Sequence, residues 1–291
     1  MKRNISIILM GALLAGCLLI AGCGCGSGSS GDSAASSDAS SQSIFTFRDV
    51  LGNSYEAYLD MAAALCPYDE SLFVVDGSDA SYEDDTYTSW MGVDVSYHQG
   101  DIDWETVRAD GYTFAIIRVG YRGYGEEGSL NEDEKFAEYA AQAKAAGLKV
   151  GFYFFSQAIN EDEALEEAQF VISLLEREGL DPELPVFFDP ENISDDEART
   201  DDVSGEQFTA NAKIFCETIE NSGYDSGVYA NMYWEAYTLD MGELADYTMW
   251  YADYESIPQS PYAFSFWQYS ESSSVSGIST ECDTNLWIMK K

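Results

Sequence analysis

The chain has 291 residues, 46% of them hydrophobic and 14% aromatic, enough for one large domain with additions or for two small ones. With 52 acidic against 14 basic residues the formal charge is −38, which excludes attachment to nucleic acid or to an anionic membrane face through charge. The one histidine, His98, and the irregular spacing of six cysteines give no zinc signature. A Ser-His-Asp or Cys-His nucleophile would have to recruit His98, and no nucleophile-elbow pattern accompanies it. The sequence thus leads to the expectation of no metal, no cofactor and a monomer.

The first element is a short basic start, Met1 to Arg3, followed by an apolar, small-residue-rich stretch from Ile5 to Gly22. It reads as a secretory signal, too short to favour a permanent span. Its end, Ile20-Ala21-Gly22-Cys23, resembles a bacterial lipobox, which implies cleavage after residue 22, acylation of Cys23 and an extracytoplasmic protein held at the cell membrane by lipid. Cys17 offers a second cleavage position, but using it would leave the apolar stretch from Leu18 to Ala21 on the processed end. Residues 23–43 are dominated by Gly, Ser, Ala and Asp and read as a flexible tether. Outside the membrane a disulfide is allowed, yet Cys25, Cys66, Cys216 and Cys282 fix no pairing and read equally well as buried small residues.

Residues 44–90 read as a small separate region, a spacer or cap, with a strand or turn and a short helix in 47–66, a strand at 71–75 and an acidic loop after it. From Met91 the pattern becomes a regular alternation. Strands are predicted at 91–96, 114–120, 149–157, 185–191 and 227–232, with helices at 103–110, 131–147, 160–179 and 205–223. Three further strands follow, at 247–254, 263–270 and 282–289, without long helices between them. The early strands are nearly continuous apolar runs, as expected for parallel strands buried on both faces. Eight strands in about 200 residues predict an α/β fold, an irregular TIM-like (β/α) barrel over 91–291 with few helices in its C-terminal part. The alternative is an open doubly wound sheet, which lacks support because no Gly-rich phosphate loop follows a strand.

Acids stand at strand ends, where such a barrel keeps its chemistry. Asp94 is late in the first strand, Asp189 and Glu191 end the fourth, and Asp283 lies in the eighth, which closes against the first. Residues i and i+2 share a face, so Asp189 and Glu191 point the same way, roughly 6.6 Å apart along the strand. Paired acids in a partly dry site separate their pKa values, which suits glycoside hydrolysis: one carboxyl protonates the leaving oxygen and one carboxylate supports the positive charge at the sugar carbon. The same residues with Asp195 or Asp196 also read as a calcium site or a solvated loop. Aromatics at the same rim, Tyr153, Trp250, Tyr254, Trp267 and Tyr269, offer faces on which sugars stack.

The stretch from Met91 onward resembles glycoside hydrolase family 25, the Chalaropsis-type lysozymes. The resemblance is carried by GVDVSYHQGDIDW (92–104), FAIIRVGYRGY (114–124), AKAAGLKVGFYFFSQA (143–158), PVFFDPE (185–191), SGVYANMYW (226–234), FWQYS (266–270) and CDTNLW (282–287), in that order. It implies cleavage of the β-1,4 bond after N-acetylmuramic acid in peptidoglycan, with retention. It also implies Glu191 as general acid, Asp189 as nucleophile or as the group that orients the substrate's own acetamide, and Asp94 and Asp283 as polarising or positioning groups. Tyr153, Trp267, Gln268 and Gln99 fall at family positions for substrate binding, joined by Trp250 and Tyr254 from the aromatic count. A non-catalytic glycan-binding module and a hydrolase of another N-acetylated glycan remain as alternatives. His98 reads as structural, and Arg118 and Arg122 as partners of acids or as groups steering a carboxylated peptide stem. Pro190 stands where an aliphatic residue is usual, which leaves the angle between Asp189 and Glu191 open.

Overall fold

The computed structural model describes residues 43–49, 51–193 and 197–291; the expected signal, Cys23 and the expected tether up to residue 42 lie outside them. No helix among the described residues is long and apolar enough to cross a membrane.

Two hairpins come first, β1 (Ile44–Arg48) with β2 (Ser54–Tyr58), and β3 (Val74–Asp76) with β4 (Asp79–Ser81). The barrel follows as β5 (Tyr87–Val95), α1 (Trp104–Ala109), β6 (Phe114–Arg122), β7 (Leu130–Glu132), α2 (Phe136–Ala145), β8 (Lys149–Ser156), α3 (Glu161–Glu178), β9 (Val186–Pro190), α4 (Gly205–Asn221), β10 (Ser226–Asn231), α5 (Met232–Tyr237), β11 (Thr248–Ala252), β12 (Phe266–Ser273) and β13 (Cys282–Lys290). Going round the ring, β5, β6, β8, β9, β10, β11, β12 and β13 pair in turn, and β13 closes back on β5. Closure removes the open-sheet alternative. The short β7 pairs with the top of β6, beyond the point where β5 leaves it.

The neighbours from β5 to β12 run parallel, but β13 is antiparallel to both β12 and β5. The link over 274–281 is too short for a crossover, so the chain can only return as a hairpin. Asp283 therefore reaches the rim from the beginning of its strand, directly opposite Asp94 near the end of β5.

Alternation builds two cores. Phe114 and Ile116 of β6, Phe187 of β9, Tyr229 of β10, Trp250 of β11 and Phe266 of β12 point inward and fill the ring. Their neighbours, among them Ala115, Ile117, Phe188, Val228, Tyr251 and Trp267, point outward into a second core with Val107, Ala140, Val171 and Phe215 of the helices. Both faces are apolar, which is why the strands read as continuous runs. Glycine makes room where rings cross the barrel: a Cβ on Gly92 would lie 2.4 Å from the Phe114 ring, and one on Gly227 2.6 Å from the Phe187 ring.

Four local predictions differ from the structure. The strand expected at 71–75 begins only at Val74, because Glu70–Leu72 form a 3-10 turn capped by Asp69, whose side chain accepts from the Ser71 amide. The helix expected over 131–147 starts only at Phe136; residues 130–132 pair with β6, and Asp133 turns the chain by accepting hydrogen bonds from the Tyr97 and Lys135 amides and from Arg118. The strand expected to run to residue 232 ends at Asn231, whose side chain caps α5 by accepting from the Tyr233 and Trp234 amides. The Ala-rich stretch before Cys66 forms no helix, because its backbone is paired elsewhere: Cys66 N–H donates to Pro261 O, and Ala263 N–H to Ala64 O. The hairpins rest on the outer wall of the barrel. Phe47 packs on Tyr233, Phe73 packs on Trp267, and Gln259 exchanges hydrogen bonds with the Arg48 backbone.

Candidate active site

The C-terminal ends of the parallel strands, with the start of β13, surround a cleft of about 580 Å³. Asp94 from β5, Asp189 and Glu191 from β9 and Asp283 from β13 all line it. Their convergence follows from parity. Asp189 is two residues beyond the inward Phe187, Glu191 two further, and Asp94 two beyond the inward Gly92.

Asp94 is fixed most firmly. It is 5% exposed, and its Oδ2 accepts hydrogen bonds from Asn285 Nδ2 at 2.7 Å and Gln268 Nε2 at 2.9 Å. A further hydrogen bond joins it to Asp283. The Gln268 amide is itself oriented, because its Oε1 accepts from the hydroxyls of Tyr229 at 3.0 Å and Tyr254 at 2.9 Å. Trp250 donates its indole N–H to Asn285 at 2.8 Å and stands edge-on to Tyr229 and Tyr153, forming an aromatic floor.

Every acid of this group is harder to ionise than a free carboxyl, and burial is the first cause. Asp94 is pushed up to about 6 against the pull of its amide donors. Glu191 is pushed up to about 7 by burial and then by the charge of Asp94, while a hydrogen bond with Tyr229 acts the other way. Asp189 lies well above the usual range, through burial and then Glu191 and Asp94, with Arg118 opposing. Asp283 is raised likewise by burial, Asp94 and Glu191. The Asp189 Oδ1 is buried and finds no hydrogen-bond partner among the described residues, so this oxygen is left for a ligand.

Most of the expected substrate-binding residues face the cleft: Tyr153, Trp250, Tyr254, Gln268 and Gln99 line it. Gln99 is occupied locally, since its Oε1 accepts the Ser96 amide in a capping box. Trp267 does not belong to the group. It is 0% exposed, donates its indole N–H to Asp253 O and packs on Phe73 outside the ring. The reason is alternation: Gln268 points in, so Trp267 and Tyr269 must point out, and the Tyr269 hydroxyl is accordingly bound to Ser78 O.

Arg118 lines the cleft, held by Asp133 at 2.9 Å and flanked by the rings of Tyr97 and Tyr121. Arg122 faces the outer wall instead and binds Glu167 of α3 at 2.7 Å. His98 is exposed at the mouth of the cleft, its ring 4.1 Å from that of Tyr97. The alternative calcium site involves Asp195 and Asp196, outside the described residues; among the described residues no group of His, Cys, Asp and Glu is placed to hold a metal ion.

Sequence reasoning passed over Tyr229 and Asn285, although alternation signals both: Tyr229 is two residues past Gly227, and Asn285 two past Asp283. It also passed over Glu271, Ser272 and Glu281, which wall one side of the cleft from the β12–β13 hairpin. That hairpin carries register shifts between Gln268 and Ser270 and between Ser270 and Ser273, which have no sequence signal.

Comparison with known proteins gives a consistent result. A model of the glycosyl hydrolases family 25 matches residues 93–278. The autolytic lysozyme of Clostridium acetobutylicum is 28% identical over 194 residues, covering 66% of this chain and 54% of that protein. Lysozyme M1 of Streptomyces globisporus is 34% identical over 67 residues, 23% of this chain and 21% of its own. The chain thus spans about half the length of the first of these relatives and a smaller share of the second. Among solved structures, the modular autolysin LytC from Streptococcus pneumoniae, in complex with a synthetic peptidoglycan ligand, superposes with a TM-score of 0.62 at 20% identity, over 83% of this chain and 56% of that one. A bacterial lysozyme from Streptomyces coelicolor gives 0.55 at 24% identity, over 67% and 90%. At these identities the superpositions speak to the fold.

Proposed function

Since the chain belongs to the glycosyl hydrolases family 25, we propose that it is a lysozyme-type glycosidase that cleaves the β-1,4 bond between N-acetylmuramic acid and N-acetylglucosamine in peptidoglycan. The observation that carries this reading is the meeting of Asp189 and Glu191 with Asp94 and Asp283 in one cleft, all hard to ionise. A module that only binds glycan has no need of such a group.

Glu191 is the proton donor. With its carboxyl raised to about 7 by burial, it retains a proton at mildly acidic to neutral pH and can pass it to the leaving oxygen. Asp189 and Glu191 are close enough to titrate as a pair. The reactive form of the pair carries one proton, held by Glu191, and leaves Asp189 ionised; as Glu191 gives that proton to the leaving oxygen, the Asp189 carboxylate faces the positive charge growing at the sugar carbon. Asp189 then either attacks that carbon or orients the substrate's acetamide to do so, and either course retains configuration. Asp94, held by two amides, keeps the site's negative potential fixed, and Asp283 hydrogen-bonds to it. Tyr153, Trp250 and Tyr254 supply the faces for the sugar rings.

The lipid anchor is part of the same proposal and rests on the sequence around Cys23. Peptidoglycan and its attached polymers are anionic, as is this chain, so charge hinders approach and a tether to the membrane supplies proximity.

Release of reducing ends from purified cell walls tests the activity. Muramic acid at the new reducing ends is expected, with the β-anomer formed first. Glucosamine at those ends, or wall binding with no ends released, overturns it. For the anchor, Cys23→Ser is expected to move the protein from the membrane fraction to the medium; unchanged membrane retention refutes acylation at Cys23.

A further inference from the structure

The proton donor stands where the sheet has run out. The last rung between β8 and β9 pairs Ser156 with Pro190, and Glu191 lies one residue beyond it. Pro190 has no N–H to donate, so the ladder cannot hold this end of β9 through that residue. On the neighbouring strand, the Ser156 hydroxyl is given to the Glu167 carboxylate of α3 at 2.6 Å. A general acid on an unpaired strand end drifts, and a displacement of about 1 Å costs on the order of 10²-fold in rate.

Gln157 fills the missing rung with its side chain. Its Nε2 donates to the Glu191 carbonyl at 2.7 Å, and its Oε1 accepts from the Thr200 hydroxyl at 2.9 Å. Gln157 is 1% exposed and Thr200 2%, so both hydrogen bonds lie out of water. The Glu191 carbonyl can only accept, which fixes the NH₂ end of the amide toward it, and the Thr200 hydroxyl then donates to the Oε1 at the other end. Just beyond, Asn211 of α4 donates to Ala158 O at 2.8 Å, pinning the chain that follows Gln157. None of these groups lines the cleft.

From this geometry we infer that Gln157 is a positioning residue for the proton donor, and that Thr200 holds Gln157 in the working orientation. The inference rests on the glycosidase reading given above for the role of Glu191.

Gln157→Met, which keeps length and removes both hydrogen bonds, tests it. The expected result is a fall in kcat of about 10- to 100-fold with KM within about twofold. The alkaline limb of the kcat pH profile should move to lower pH, because a Glu191 freed to swing toward solvent returns toward the ordinary glutamate range. Thr200→Val should give a smaller loss in the same direction, and adding it to Gln157→Met should cost nothing further. A merely structural role predicts a lower Tm with the pH limb unmoved, and that result, or an unchanged kcat, overturns the inference. A second readout is independent of turnover: the Glu191 carboxyl titration, followed by NMR on carboxyl-labelled protein, should shift downward in Gln157→Met, and an unmoved midpoint overturns the inference. If the wild-type protein releases no sugar ends, the glycosidase reading fails while the titration still decides whether Gln157 positions Glu191.

Discussion

Two groups of buried carboxylates lie on opposite sides of the barrel wall, and burial raises members of both. On the outer side, Glu167 of α3 is raised to about 7 by burial, yet its oxygens are engaged by Arg122 at 2.7 Å and Ser156 at 2.6 Å. On the inner side, Glu191 is raised to about 7 as well, but the charges that act on it are those of other acids, and its neighbour Asp189 keeps a buried oxygen without a partner among the described residues. A raised pKa alone therefore does not mark a catalytic group. The cleft acids are distinguished by the open space in front of them and, at Asp189, by an oxygen with no donor among the described residues, whereas Glu167 has spent its hydrogen-bonding capacity on the fold.

The sharpest way to break this contrast is to neutralise each glutamate in turn. Glu191→Gln is expected to lower the release of sugar ends by about 10³- to 10⁴-fold while leaving Tm within a few degrees. Wild-type-like activity would falsify its assignment as proton donor. Glu167→Ala should do the reverse, destabilising the fold by about 3 kcal/mol because buried Arg122 loses its shortest and only fully buried ion-pair partner and keeps the more distant Glu166 at 3.3 Å and Glu163 at 3.9 Å, with residual activity tracking the folded fraction. Chemical denaturation gives that number, and an undiminished midpoint would show that Arg122 finds other partners.

A smaller effect separates the inner from the outer aromatics. Trp267→Phe should cost about 1–2 kcal/mol of stability by losing the indole hydrogen bond to Asp253 and some packing on Phe73, with KM for cell walls unchanged. Trp250→Phe, which removes the hydrogen bond to Asn285 on the cleft floor, should raise KM or lower kcat instead. If Trp267→Phe altered KM and Trp250→Phe did not, the inward and outward assignments would be reversed.

The pH responses are gentler. Since Glu191 must hold its proton, activity should fall as pH rises through about 7. Stability should drift the same way for a different reason. Glu235, beside Ser260, is raised to about 8 by burial, so its carboxyl binds protons more tightly folded than unfolded. The stability this confers is complete below the ordinary glutamate pKa and is lost as pH climbs through about 8. Tm should therefore decline between about pH 5 and 8. Glu235→Gln should flatten that slope; an unchanged slope would assign it to other acids.

Much of the site was legible because alternation is a local property. Asp189 and Glu191 had to share a face, and Asp94 had to face the same space once the ring closed. The same rule forbade Trp267 and Gln268 from both lining the cleft, and a stricter use of it would have replaced Trp267 with Tyr229 and Asn285. The hairpin acids Glu271 and Glu281, the late start of α2 and the absence of a helix before Cys66 had no such local sign. Each depends on a backbone partner distant in sequence, such as Pro261 for Cys66 or β6 for residues 130–132.

By itself the sequence determined the eight strands of the ring, most of the helices and which residues share a face, because side-chain direction follows from backbone geometry over a few residues. It also showed a −38 chain with acids at strand ends. Only the tertiary structure decided that β13 runs against its neighbours and carries Asp283 to Asp94 from the strand's beginning, and that Gln157 completes the rung beside Glu191. Those facts depend on which groups meet across the closed ring, where burial and hydrogen bonding set the ionisation of every acid in the cleft.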